Sequence, residues 1–178
     1  MKGLILNLVE DVVRRDHGDD YWDDVVDASG LSAAYTALGT YPDHELTTLA
    51  DVVAHREQIE SSDVVRHVGR EGMAMLAARY PAFFAPHTDV RDFLLSLNVV
   101  VHAEVRRMYP GAVIPELEHR TPQPGVLDLV YSSERGRCDL AEGLVLGAAD
   151  HYGQTVTVTQ PECVHRGDDA CVIRVRLG

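Results

Sequence analysis

The hydrophobic period of this chain changes once, and the change limits the fold. Up to about residue 109, apolar residues recur every three or four positions, the spacing of amphipathic helices. From Val126 onward short alternating runs appear, the period of half-buried strands, with one helical stretch among them. Pro110-Gly111, Pro115, Pro122, Pro124 and Gly125 lie between the two regimes and read as a connector, a candidate boundary between lobes. The expected class is α+β: a helical N-terminal lobe packed on a C-terminal lobe with a mainly antiparallel sheet and helices. A single domain over 1–178 is expected, with the helical lobe at about 1–65 and the second lobe at about 66–178. The second lobe would hold a long helix at about 89–109 and a sheet at about 126–177.

Local signals place the elements. Leu4, Ile5, Leu8, Val9, Val12 and Val13 share a helical face that stops at Gly18. A second helix spans about Asp19–Ala28 and ends near Gly30; its aspartates read as a solvated face. Asp43 is expected to cap a third, with Leu46, Leu49, Val52 and Val53 inward, and Ser61-Ser62-Asp63 to open a fourth. The long helix starts near Thr88-Asp89, carries Val90, Phe93, Leu94, Leu97, Val101 and Val105, widened by Leu95 and Val99, and ends before Pro110. Strands are expected at Val126–Ser133, Gln154–Thr159 and Val172–Leu177, with a helix at Cys138–Tyr152. Gly143 and Gly147 on that helix would permit close approach of another element or of a ligand.

Composition narrows the function classes. With 46% hydrophobic and 25% charged residues the chain is globular, and a formal net charge of -12 repels nucleic-acid phosphates and anionic membranes. No apolar run is long enough for a transmembrane helix, and the start lacks the features of a signal peptide, so a cytoplasmic protein is expected. Three cysteines argue against a disulfide scaffold.

His102 stands apart among nine histidines. On a regular helix its neighbours at three, four, seven and eight residues back are Val99, Asn98, Leu95 and Leu94, so it projects from an apolar face. Buried there, an imidazole is neutral and keeps a lone pair for a metal such as heme iron. The plainer reading is a core histidine hydrogen-bonded to a neighbour. Tyr131-Ser132-Ser133-Glu134-Arg135, if extended, sets Leu127, Leu129, Tyr131, Ser133 and Arg135 on one side. Two hydroxyls and a guanidinium beyond an apolar stretch match an amphipathic ligand with carboxylates on one edge. By itself the same pattern also suits a strand end capping a turn.

These residues together resemble the heme nitric oxide/oxygen binding (H-NOX) family, the heme domain related to soluble guanylate cyclase. The resemblance runs through Met1-Lys2-Gly3-Leu4-Ile5 with Leu8-Val9-Glu10-Asp11, Val101-His102-Ala103-Glu104-Val105, Ile114-Pro115, Tyr131-Ser132-Ser133-x-Arg135 and Ala141-Glu142-Gly143-Leu144. It implies heme b between the lobes, with His102 as proximal ligand and Tyr131, Ser133 and Arg135 on the propionates. Ile5 and Pro115 would press on the macrocycle. It further implies a non-enzymatic, stand-alone nitric oxide sensor that signals to a separate partner such as a histidine kinase or a cyclic-di-GMP enzyme. The position of the tyrosine donor found in oxygen-binding members is matched by Leu140, and its network by Val9 and Ala74. The implied pocket is lined by Leu4, Ile5, Leu140 and Leu144, with Val9 and Ala74 nearby. Such a pocket favours nitric oxide and carbon monoxide over oxygen unless Tyr80 or Tyr152 reaches the iron.

Cys138, Cys163 and Cys171, with His165 as a candidate fourth ligand, could hold zinc. Family members with such a site resemble this chain except that Gln160 stands where their histidine lies. Reduced cysteines in a small core and a thiol redox switch are the other readings. A heme-independent zinc or redox sensor on the same fold is therefore the alternative function. A small hydrolase or reductase has no motif to support it.

Overall fold

The computed structural model describes residues 1–109, 111–133 and 135–178, so Pro110 and Glu134 lie outside the described residues. The fold is α+β. Four helices come first: α1 (Gly3–His17), α2 (Asp19–Ser29), α3 (His44–Glu57) and α4 (Ser61–Arg79). Gly18 separates α1 from α2 at a φ of 94°, a conformation that L side chains rarely adopt, which is why the first helix stops there. Asp43 precedes α3, but its side chain does not cap it. The carboxylate instead meets the Met1 ammonium at 2.6 Å and Arg135 Nε at 2.9 Å.

The long helix expected at 89–109 is two helices joined by a wide turn. Asp89 caps α5 (Val90–Ser96), accepting from the Asp92 amide at 2.8 Å. Leu97–Val101 form a π turn, and α6 (His102–Met108) follows. The extra residue in a π turn pushes part of the chain outward. Val99, expected on the inward stripe, is 76% exposed, and Val100 is 39% exposed.

The sheet begins earlier than expected. β1 (Glu116–Arg120) lies inside the proline-rich stretch read as a connector, and is followed by β2 (Val126–Ser132), α7 (Cys138–His151), β3 (Val156–Glu162) and β4 (Cys171–Leu177). β1 is an edge strand with Leu117 as its one buried side chain, so it carries almost no alternation to read. Strand order is β1-β2-β4-β3, antiparallel throughout.

Two apolar clusters share the core. One gathers Leu6, Val9, Val12, Trp22, Leu46, Leu49, Val65 and Val68; the other Met73, Phe84, Phe93, Leu94, Leu127, Leu129, Ala148 and Ile173. The change falls within α4, between Val68 and Met73, and α7 likewise sends Leu140 to the first cluster and Val145 to the second. The proline-rich stretch does not divide the cores, since Phe93 before it and Leu127 after it belong to one cluster.

On the other face of β2, Asp128 is buried and paired across the strands with Arg174, Nε to Oδ1 at 2.7 Å and Nη2 to Oδ2 at 2.6 Å. Hydrogen bonds from Arg174 hold the Asp128 carboxyl below its usual range, against the opposing effect of burial. A depressed folded pKa contributes stability above the unfolded value of about 3.9, and this is lost as pH falls through the lower folded value. Asp128→Asn is expected to lower unfolding stability by about 2 kcal/mol at pH 7. The deficit should shrink on acidification, measured by urea denaturation across pH.

Candidate functional site

A cavity of about 300 Å³ opens where α1, α4 and α7 meet the α5–α6 segment and the sheet. Its walls are largely apolar. Of the residues singled out from sequence, Leu4, Ile5, His102, Pro115, Tyr131, Ser133, Arg135, Leu140 and Leu144 all line it. Val9 and Ala74 do not. Val9 is fully buried in the N-terminal core, and Ala74 is on the exposed face of α4. Met73, one position earlier, faces the cavity with Leu76. A one-residue difference on a helix is a rotation of about 100°, enough to exchange solvent for core.

His102 opens α6 beside the π turn. Burial pushes its imidazole down to about 4, and the neighbouring Arg106 guanidinium adds to the shift. The ring is therefore neutral at physiological pH. Its Nδ1 is 3.3 Å from Asn98 Oδ1, while the Asn98 amide nitrogen donates to the Leu117 carbonyl on β1. That donation fixes which end of Asn98 faces the ring. Nδ1 must carry the proton, which leaves the lone pair on Nε2. The sequence sets Asn98 four residues before His102 but carries no signal of this role.

Tyr131, Ser133 and Arg135 come together at one end of the cavity, though not by strand alternation. β2 stops at Ser132, and the chain turns, with the Gly136 amide donating to the Ser133 carbonyl at 3.2 Å. Burial pushes the Tyr131 phenol up, so it remains a hydrogen-bond donor. Arg135 is held by Asp43 and donates through Nη1 to the Val113 carbonyl at 3.3 Å. Burial disfavours the charge on Asp43, but the Met1 ammonium and Arg135 outweigh it and hold the carboxyl below its usual range. The Met1 ammonium, two residues before α1, and Arg135 at the cavity thus share one carboxylate. No local sequence signal marks this link, because its three members are far apart in the chain.

Helices α1, α4 and α7 line the cavity with Leu4, Ile5, Met73, Leu76, Leu140 and Leu144, none of which has a side-chain donor. Tyr152 is directed elsewhere, its hydroxyl donating to the Phe84 carbonyl at 2.9 Å. Tyr80 lines the cavity with its hydroxyl 2.5 Å from that of Tyr109.

The three cysteines form a separate buried cluster. Cys163 Sγ lies 3.6 Å from Cys138 Sγ and 3.8 Å from Cys171 Sγ. A tetrahedral zinc with Zn–S bonds of about 2.3 Å has sulfur–sulfur edges of about 3.8 Å, so the spacing suits that ion. Burial pushes the Cys171 thiol up, and the Val164 amide, donating to Cys171 Sγ at 3.4 Å, acts against that shift. His165 does not join the cluster. It is exposed, and its Nε2 pairs with the Gly136 carbonyl at 2.7 Å. Gln160 is also occupied, donating to Glu142 at 2.6 Å.

The model of the haem-NO-binding family matches residues 2–160. The chain belongs to that family. No curated protein sequence matches it. Among solved structures it is similar to an H-NOX protein from Shewanella oneidensis in the Fe(II)NO state, at 29% identity over 100% of this chain and 99% of that one, with a TM-score of 0.93. An H-NOX domain of the same organism in the Fe(II)CO state gives 29% identity, coverage of 100% and 99%, and a TM-score of 0.90. An unliganded Fe(II) H-NOX protein from K. algicida shares the fold at 22% identity, coverage of 100% and 97%, and a TM-score of 0.88. The protein is a heme-binding gas-sensor domain of the H-NOX type. The cavity suits heme: apolar walls for the macrocycle, hydroxyls and a guanidinium at one end for carboxylates, and a neutral imidazole for the iron. No helix among the described residues is long and apolar enough to cross a membrane.

Proposed function

We propose that this domain is a cytoplasmic, non-enzymatic nitric oxide sensor whose His102 holds ferrous heme b. A heme held there would supply an iron able to bind a diatomic gas. The observation that carries the reading is a neutral, Asn98-held imidazole in a cavity that α1, α4 and α7 line with Leu4, Ile5, Met73, Leu76, Leu140 and Leu144, side chains without a hydrogen-bond donor. Tyr131, Ser133 and Arg135 anchor the propionates, and Ile5 and Pro115 set the shape of the pocket. Nitric oxide and carbon monoxide need no donor, whereas bound oxygen carries partial negative charge and gains from one; stable oxygen binding is not expected. The Fe(II)NO and Fe(II)CO states of the Shewanella proteins support this choice of gases. Were His102 to lose its hold on the heme, α6 would no longer be tied to the cofactor, and the arrangement of the helices would shift, the change a partner reads. A histidine kinase or a cyclic-di-GMP enzyme is the kind of partner the resemblance implies.

One absorption experiment tests it. Purified reduced protein should show a Soret band that shifts with nitric oxide and with carbon monoxide, and should match between aerated and anaerobic samples before autoxidation. A colourless protein, or a stable oxygen spectrum, overturns the reading.

The cysteine cluster favours a second component, a structural zinc held by Cys138, Cys163 and Cys171. Elemental analysis should find about one zinc per chain and a loss of most of it in Cys171→Ala. Zinc without a Soret band would instead support the heme-independent zinc or thiol redox sensor.

A further inference from the structure

We propose that Asn98 is a positioning residue for His102: clamped to strand β1, it fixes the imidazole as the Nδ1–H tautomer and sets how strongly Nε2 can donate to a metal. The inference rests on the reading of His102 as the heme ligand.

The backbone shows why the site needs such a clamp. An α-helix turns about 100° per residue. An unbroken helix would set His102 about 180° from Phe93 and about 140° from Leu97, both of which line the cavity. A π turn advances only about 80° per residue, so its five residues delay the helix by roughly 90°. The delay brings His102 back toward the cavity wall. The wide turn is a local departure from the helix, and its outer side is bare, with Val99 and Val100 exposed. What ties it down on the inner side is the Asn98 amide on the Leu117 carbonyl. The same side chain then presents Oδ1 to His102 Nδ1 at 3.3 Å.

One amide thus does two separable jobs. Its nitrogen joins the turn to the sheet, and its oxygen accepts the imidazole proton. An acceptor on the remote N–H of a metal-bound histidine raises ligand basicity and fixes ring orientation, and losing such a partner typically weakens metal binding about 10- to 100-fold. A neutral amide is a moderate acceptor and a carboxylate a stronger one.

Two variants separate these jobs, because both lose the donation to Leu117 while differing in the acceptor. In Asn98→Leu no acceptor faces His102; in Asn98→Asp a carboxylate does. Resonance Raman of the unliganded ferrous protein should show the iron–histidine stretching band moved down in Asn98→Leu and up in Asn98→Asp. Heme affinity should fall about 10-fold or more in the leucine variant alone. In the heme-free chain, ring ¹⁵N NMR should find the Nδ1–H tautomer of His102 in the unaltered and aspartate proteins, and a tautomer mixture in the leucine variant. Bands unmoved, or moved the same way in both variants, overturn the proposal while leaving His102 as ligand. Absence of any iron–histidine band in the unaltered protein overturns the ligand reading, and this proposal with it.

Discussion

Replacing His102 with glycine is expected to abolish protein ligation of the iron and to let free imidazole restore it. His102 lines the cavity together with Leu97, Val101 and Val105, so removal of its ring leaves space that free imidazole can enter. The remaining cavity lining, apolar walls with Tyr131, Ser133 and Arg135, would hold a tetrapyrrole without coordinating it. Loss of a hydrogen-bond partner of a metal-binding histidine already weakens metal sites about 10- to 100-fold, and loss of the ligand itself should weaken heme retention by at least about 100-fold. The change also places glycine in a short helix, costing about 1 kcal/mol of helix stability, so His102→Ala should accompany it. Heme titration followed at the Soret band, with and without added imidazole, measures the effect. A glycine variant that binds heme as tightly as the original, with the same spectrum, would end the assignment of His102.

Gly143→Val is expected to produce the largest loss of stability among single changes outside the heme contacts. Gly143 of α7 lies against the backbone of α4, where an added Cβ would clash with the Arg66 carbonyl oxygen. The next turn repeats the contact between Gly147 and the Arg70 carbonyl, and Gly69 answers from α4, where a Cβ would stand 2.6 Å from the Leu140 carbonyl. The obstacle in each case is helix backbone, so no side-chain rotation relieves it. The helices would have to separate, and both core clusters draw side chains from both helices. Overpacking typically costs about 1–3 kcal/mol and more where backbone must move. An effect of about 3 kcal/mol or above should lower Tm by about 10 °C in a chain of this size. Met73, Leu76, Leu140 and Leu144 line the heme cavity from these same helices, so heme affinity should fall in parallel. Calorimetry of the heme-free and heme-loaded proteins measures both. A Tm within 2 °C of the original would show that the glycines are not needed for this approach.

Much of the site is legible in sequence because chemistry was written locally. His102 is the one histidine amid a long apolar helical run, and Tyr131, Ser133 and Arg135 sit within five consecutive positions. Where the reading failed, the missing information was geometric. Val99 was placed inward by a 3.6-residue period that the π turn interrupts. Ala74 was one position from the residue that faces the cavity, Met73. β1 was hidden because an edge strand with one buried side chain has no alternation to detect. His165 looked like a metal ligand by its distance along the chain from Cys163, yet its ring turns to the Gly136 carbonyl.

Helix and strand periods, stops such as Gly18, and the residue types at 102, 131, 133 and 135 were determined by the sequence alone, since each depends on neighbours a few positions away. Tertiary structure alone decided that three distant cysteines share one cluster, that Asp43 bridges the N-terminus and Arg135, and that Asn98 holds His102 against β1. These depend on which helix faces which strand and at what rotation, and a rotation of one residue on a helix exchanges core for solvent.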